Sequence, residues 1–338
     1  MVSPQDLDRR APQAQAIGLV HRVVYRTVRA PPTRQVRCRP ADTFARYTAT
    51  TVPIAAVVLD FDPLLHLGEA VTVRWQTVAL AVAVLVCLSA AAVVANRARL
   101  RADDLLYLAI GAVPGAVVGG RLGYALLVPD AFAEGPLSLL DPTVGGLELG
   151  LGVVGGFISA AVVVDVLGAP VGRWAHHLAV LLLALIAAGK VTMVVGGAGQ
   201  GLPTDGAWAT AYVGPGPWGS LAPDVPSHPS QLYEAAGTLV VAMVLLVVSA
   251  AGAFRARDGS RLLVAIAGWA LVRAAVSVTW RDGAVVGPLP VGGVLALVIA
   301  AGSLFALVLI TVWLPSRRRA RADADIPAWP DPDVRPPF

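Results

Sequence analysis

The residues of this sequence best placed to do chemistry are ionisable groups set inside apolar runs. Lys190, the sole lysine, lies in AAGKVTM; Arg273 sits near the middle of GWALVRAAVSV; Arg121 follows two glycines in VVGGRLGYALL; Glu148 opens VGGLELGLGVVGG. A charged side chain in a bilayer costs about 3 kcal/mol or more, so each needs a partner, a wet cavity or a function. Cations held in a low dielectric suit one task well, which is gripping an anionic group such as a phosphate. Lys190 reads either as a snorkelling interfacial residue or as a fixed positive charge for an anionic headgroup. Arg273 is too deep to snorkel, which leaves a structural ion pair or a phosphate contact. Arg121 is an interfacial arginine or a headgroup ligand. Glu148 reads first as a solvated residue at a helix mouth, with the three cations as its possible partners.

A second polar cluster is SHPSQLYEA, residues 227–235, at the start of another apolar run. Pro229 suits a first helical turn, His228 or Ser230 can cap it, and Glu234 then falls in the first turn, where the helix dipole favours an acid. Capping explains Pro and Ser. It does not explain His228, Gln231, Tyr233 and Glu234 together, so the segment is either a locally satisfied helix entry or one wall of a polar site.

The elements that must position these groups follow from composition. Of 338 residues 56% are hydrophobic and only 14% charged, with mean hydropathy +0.69, against about 25% charged in soluble domains. Windows of about 20 apolar residues recur at roughly 73–95, 104–127, 145–168, 175–197, 231–253, 262–280 and 291–314. The expected fold is an all-α integral membrane protein of about seven transmembrane helices. Arginines mark one set of ends: Arg97, Arg99 and Arg101, then Arg173, then Arg255, Arg257 and Arg261, then Arg317, Arg318, Arg319 and Arg321. The rule that basic loops stay inside puts these in the cytoplasm, with Asp130, Glu134, Asp141, Asp205 and Asp224 outside, the N-terminus outside and the C-terminus inside.

The chain divides into a basic arm over 1–60, a seven-span domain over 61–314 with an outer loop at 198–230, and a cytoplasmic tail over 315–338. The arm has no signal-peptide core before residue 51 and is read as disordered or as the product of a start placed too far upstream. The tail is rich in Arg, Asp and Pro and is expected to be disordered. The high pI of about 9.4 is assigned to contact with anionic membrane lipid, since no nucleic-acid motif appears. Cys38 and Cys87 make neither a disulfide framework nor a metal site, and no cofactor is implied.

In order, the segments resemble the prolipoprotein diacylglyceryl transferase family over about residues 61–310. FDPLLHLGEAVTVRWQT at 61–77 resembles the family's opening, VVGGRLGYAL its second-span motif, VGGLELGLGVVGG its third and AAGKVTMVVGGAGQGLPTD its fourth; HPSQLYEA matches nearly letter for letter, and VVGPLPVGGVLAL resembles the start of the last span. The resemblance implies a multi-pass protein of the bacterial cytoplasmic (inner) membrane. It also implies transfer of the diacylglyceryl group of phosphatidylglycerol to the lipobox cysteine in the signal peptide of a prolipoprotein. On that basis Arg273, Lys190 and His228 are the catalytic candidates, and Arg121, Gly201, Tyr233 and Glu234 the headgroup-binding ones.

Several positions depart from the family pattern: Gln76 where an aromatic is usual, Gly150 for a histidine, Lys190 and Met193 for an arginine and an asparagine, Ser277 for a glutamate and Gly293 for a glutamine. Lys190 keeps the charge and loses the planar fork. The competing readings are therefore a lapsed or retuned homologue that binds phospholipid or lipoprotein precursor, and a transporter of small anions. The latter lacks any visible inverted repeat.

Overall fold

The computed structural model describes residues 56–68, 71–132, 135–141, 144–256 and 258–313. The expectations for the arm before residue 56, the tail beyond 313, Cys38, Glu134 and Arg257 lie outside these residues. Seven helices are long and apolar enough to cross a membrane: α1 (Trp75–Arg97), α2 (Asp104–Leu127), α3 (Leu149–Val166), α4 (Val171–Val195), α5 (Ser230–Ala250), α6 (Ser260–Ser277) and α7 (Val291–Val308). The apolar stretch of the last runs on to Thr311. Their outer faces carry large apolar side chains in the open, among them Leu85, Ile110, Val162, Val247 and Phe305. Such a surface suits lipid and not water.

Small residues set the contacts between helices. A side-chain carbon on Gly115 would run into the Gly155 carbonyl, and one on Gly119 into the Leu151 carbonyl. Bare glycines thus let α2 and α3 meet backbone to backbone. Ser159 seals the contact by donating to Gly111 O at 2.5 Å. The largest core cluster gathers Ala179, Leu183, Leu245, Ile266, Trp269 and Ile299, from four different helices. Trp269 and Leu183 are fully buried there.

Where α1 ends, Arg99 N–H donates to Asn96 O at 3.1 Å and Leu100 N–H to Ala95 O at 2.9 Å. This pair of bonds closes the helix and seats Leu100 against Ala95 in a second core cluster. The geometry requires a left-handed residue at 99, where glycine is usual. Arg99 takes it with φ 55°, at a cost of roughly 1 kcal/mol.

Short strands, which the sequence did not announce, trim one end of the bundle. β1 (Val57–Leu59) pairs in parallel with β4 (Thr210–Tyr212), β2 (Leu64–Leu67) and β3 (Val71–Arg74) form a hairpin leading into α1, and β5 (Ala284–Val286) and β6 (Leu289–Pro290) a hairpin leading into α7. The loop between α4 and α5 is ordered by side chains. Tyr212 packs on Trp218 and Trp218 on Phe61, with ring centroids 4.9 and 5.0 Å apart. Gln200 donates to Thr210 O at 2.8 Å.

Candidate active site

Four ionisable side chains from four elements meet inside the bundle. Arg273 Nη1 donates to both oxygens of Glu234, at 3.0 and 3.2 Å, and its Nη2 to Glu148 Oε1 at 3.0 Å. Lys190 Nζ lies 2.8 Å from Glu234 Oε2. Trp269 Nε1 adds a donor to Glu234 Oε1 at 3.3 Å. Lys190, Glu234 and Arg273 lie five, four and four residues from the ends of α4, α5 and α6. At 1.5 Å per residue this is about 6–8 Å below one end of the bundle. The side chains of Glu148 and Glu234 are each 1% exposed. Two cations and two carboxylates balance, the condition under which charges are tolerated at such depth.

Glu148 is where the sequence reading is corrected. It is not a solvated residue at a helix mouth but is 4% exposed. It is the N-cap of α3, accepting from the N–H groups of Gly150 and Leu151 at 2.7 Å each. Its backbone N–H reaches Gly120 O at 2.8 Å. A side-chain carbon on Gly123 would come within 2.8 Å of its carboxylate, so the glycines of α2 leave the room that Glu148 fills. The helix N-terminus and Arg273 together hold the carboxylate.

The guanidinium of Arg273 lies over Trp280, 4.7 Å from the ring centroid, and 6.0 Å from that of Trp269. These aromatic walls were missed from the sequence. Trp269 had a signal, being one helical turn before Arg273 on the same face. The Nε of Arg273 and the Oε1 of Gln231 are buried without a hydrogen-bond partner among the described residues.

The other expected site residues stand apart from this quartet. Arg121 is clasped by backbone: Nε donates to Leu139 O at 2.9 Å, Nη1 to Val144 O at 2.5 Å and Gly146 O at 3.4 Å, and Nη2 to Ser138 O at 3.4 Å and to Asp141 O. Its charge orders the 138–146 segment. His228 and Tyr233 pair with each other, Nδ1 to hydroxyl at 3.1 Å. Gly201 is buried where the loop crosses the start of α5 and the end of α6. A side chain there would strike Ser230 Oγ and Thr279 O. Its carbonyl accepts from Arg281 Nε at 2.7 Å, and Arg281 also reaches Ser220 Oγ at 3.1 Å and Ser227 Oγ at 2.9 Å. That tie was also missed, since its partners are loop atoms of no distinctive sequence.

Two details of SHPSQLYEA differ from expectation. The N-cap of α5 is Pro229, with no side-chain cap, so neither His228 nor Ser230 plays that part. Ser230 instead bonds Thr279 Oγ1 at 2.7 Å. Starting the helix at Ser230 puts Glu234 past the first turn, and this depth brings it to Arg273 and Lys190.

The departures from the family pattern fit the packing around them. A side-chain carbon at Gly150 would lie 2.8 Å from Ile299 Cδ1 and about 3.0 Å from the Glu148 carboxylate. Ser277 turns its hydroxyl back to Ala274 O at 2.7 Å, so Arg273 draws its anions from α3 and α5. Glu148 also stands at the end of an apolar pocket of about 580 Å³, which runs between α1, α2, α3 and α4 to Val164 and Trp174. From Leu149 to Val164 this is about 22 Å of helix.

Comparison with known proteins gives one consistent picture. The profile of the prolipoprotein diacylglyceryl transferase family matches residues 63–309. A phosphatidylglycerol–prolipoprotein diacylglyceryl transferase of Nostoc is 28% identical over 279 residues, spanning 80% of this chain and 96% of the relative. One from Solidesulfovibrio magneticus is 33% identical over 227 residues, spanning 65% and 78% respectively. One from Gluconacetobacter diazotrophicus is 29% identical over 242 residues, spanning 69% and 82%.

Proposed function

This chain belongs to the prolipoprotein diacylglyceryl transferase family, and we propose that it moves the diacylglyceryl group of phosphatidylglycerol onto the lipobox cysteine of prolipoproteins in the bacterial cytoplasmic membrane. The observation that carries the proposal is the charge-balanced quartet of Lys190, Glu234, Arg273 and Glu148, of which Glu148 also lines the end of an apolar pocket. A phospholipid has the matching form, with a phosphate for the cations and acyl chains for the pocket.

In the reaction the cysteine sulfur attacks the glyceryl carbon that bears the phosphate ester. A C–S bond forms, the C–O bond breaks, and glycerol phosphate departs. Arg273 and Lys190 hold the phosphate and stabilise the charge that grows on its leaving oxygen. To do so they exchange a carboxylate for the phosphate. Glu234, released from both cations, then becomes available to accept the thiol proton. The dry surroundings strengthen each of these interactions. His228 and Tyr233 shape the outer part of the site with Gly201, and Arg121 acts through the 138–146 segment and not by touching the phosphate. The arginine-rich ends at Arg97–Arg101 and Arg173 face the cytoplasm, which sets the quartet toward the outer leaflet and the N-terminus outside.

A second reading is favoured by one observation: Lys190 offers a point charge where the family pattern has a fork, and Met193 stands where it has an asparagine. This gives a homologue that binds phospholipid or lipoprotein precursor without turnover. Expression in a strain depleted of its own transferase separates the two. Growth and lipidated lipoprotein are expected from the transferase, and normal membrane insertion without rescue identifies the non-catalytic binder.

A further inference from the structure

A second site lies at the opposite end of α4. From Lys190 to Arg173 the helix runs 17 residues, or about 25 Å, so the two sites share no atoms. There Val94, Arg97, Ala98, Arg99, Arg173 and His177 line a pocket of about 460 Å³. The lining holds three guanidinium groups and an imidazole and no carboxylate. Arg173 is fixed in place by donating to Ala98 O at 2.7 Å. Among the described residues, Arg97 and Arg99 have no carboxylate or hydrogen-bond partner for their side chains, whereas the adjacent Arg101 has Asp104 at 3.9 Å.

Arg99 occupies the left-handed position that closes α1, with φ 55°. Glycine fills that position without strain. A basic loop needed only for orientation could carry its arginine at any unstrained neighbour, so the strain at 99 goes with a need for the side chain at this spot. Arg97 is the last residue of α1 and Arg173 the third of α4, which puts the pocket at the level where helices leave the hydrocarbon.

We propose that this pocket binds the phosphate of an anionic phospholipid headgroup in the leaflet opposite the quartet. Clustered guanidinium groups supply paired donors for phosphate oxygens, and basic pockets between membrane helices are suited to such headgroups. The site is independent of the transfer reaction.

The test uses the full chain in phosphatidylcholine nanodiscs doped with phosphatidic acid, counting by native mass spectrometry the phosphatidic acid retained per protein. Arg99→Gly removes the side chain while relieving the backbone, so loss of folding cannot explain a loss of lipid. Arg101→Gln removes the same charge from outside the pocket. Arg99→Gly is expected to weaken retention about fivefold, and Arg97→Gln/Arg99→Gly about 25-fold, with Arg101→Gln unchanged. Equal retention by wild type and Arg99→Gly, or an equal loss in Arg101→Gln, overturns the site. Inorganic phosphate is added in a separate arm. Failure to displace the lipid supports a headgroup site, and displacement at saturation overturns the lipid assignment in favour of a soluble phosphate.

Discussion

Arg273→Met is the most informative single change, because Arg273 is the group that both carboxylates share. The variant keeps an unbranched side chain between Trp269 and Trp280 and removes the charge. Glu234 then retains Lys190 at 2.8 Å and Trp269 at 3.3 Å. Glu148 keeps only its two capping N–H bonds at 2.7 Å. Leaving a buried charge without its partner costs roughly 3–5 kcal/mol. At about 2.1 cal/mol/K of unfolding entropy per residue, each kcal/mol corresponds to about 1.4 °C in Tm for a chain of this size, so the drop is about 4–7 °C. Adding Glu148→Gln removes the orphaned charge while an amide oxygen still caps α3. The pair is therefore expected to regain about 2 kcal/mol relative to the sum of the singles. Thermal unfolding followed by intrinsic tryptophan fluorescence in detergent reads these values, with transferase activity assayed on the same samples. Stability should return in the double variant and activity should not. A single variant as stable as wild type, or losses that simply add, would refute the quartet as a coupled unit.

Three further outcomes follow from the geometry. Lys190→Met should lower kcat by about 10²–10³-fold through loss of one donor to the developing phosphate charge. Lys190→Arg should retain activity and lower KM for the phospholipid, as measured in mixed micelles. Arg121→Ala removes a guanidinium that donates to carbonyls of the 138–146 segment and lies over the Phe132 ring, 5.6 Å from the centroid. It should open that segment to limited proteolysis while activity of the intact fraction changes little. Burial pushes the Tyr212 phenol from 10.0 up to about 12. The folded state thus binds this proton more tightly than the unfolded chain, and the stability it lends is present below pH 10 and lost as pH rises through about 12. In Tyr212→Phe the fall in Tm over that window should be shallower by an amount corresponding to about 2 kcal/mol.

The spans were legible because bilayer crossing imposes length and apolarity on each segment separately. Their ends were less so. α4 starts at Val171 and not near 175, since Pro170 serves as its N-cap and the helix absorbs Arg173. The short strands carried no signal, each being two to four residues long. Within the site, Lys190 and Arg273 stood out as charges in apolar runs and Glu234 as a member of the polar cluster that opens α5, and the structure brings those three together. Glu148 was visible with the three cations as its possible partners, but neither its burial nor the choice of Arg273 was legible, because 125 residues separate the two and only the packing of α3 against α2 carries Glu148 inward. Arg121 looked like its two fellow cations, yet its ligands are backbone carbonyls, which any sequence supplies. His228 and Tyr233 were grouped correctly with each other but lie beyond the quartet.

The most direct measurement is a transfer assay by mass spectrometry, combining the purified chain, phosphatidylglycerol and a synthetic lipobox peptide. The account predicts a diacylglyceryl mass increment on the cysteine, absent with a Cys→Ser peptide and absent with Arg273→Met/Glu148→Gln, whose fold is retained. No increment from the wild-type chain, with an authentic transferase active in the same mixture, would contradict it.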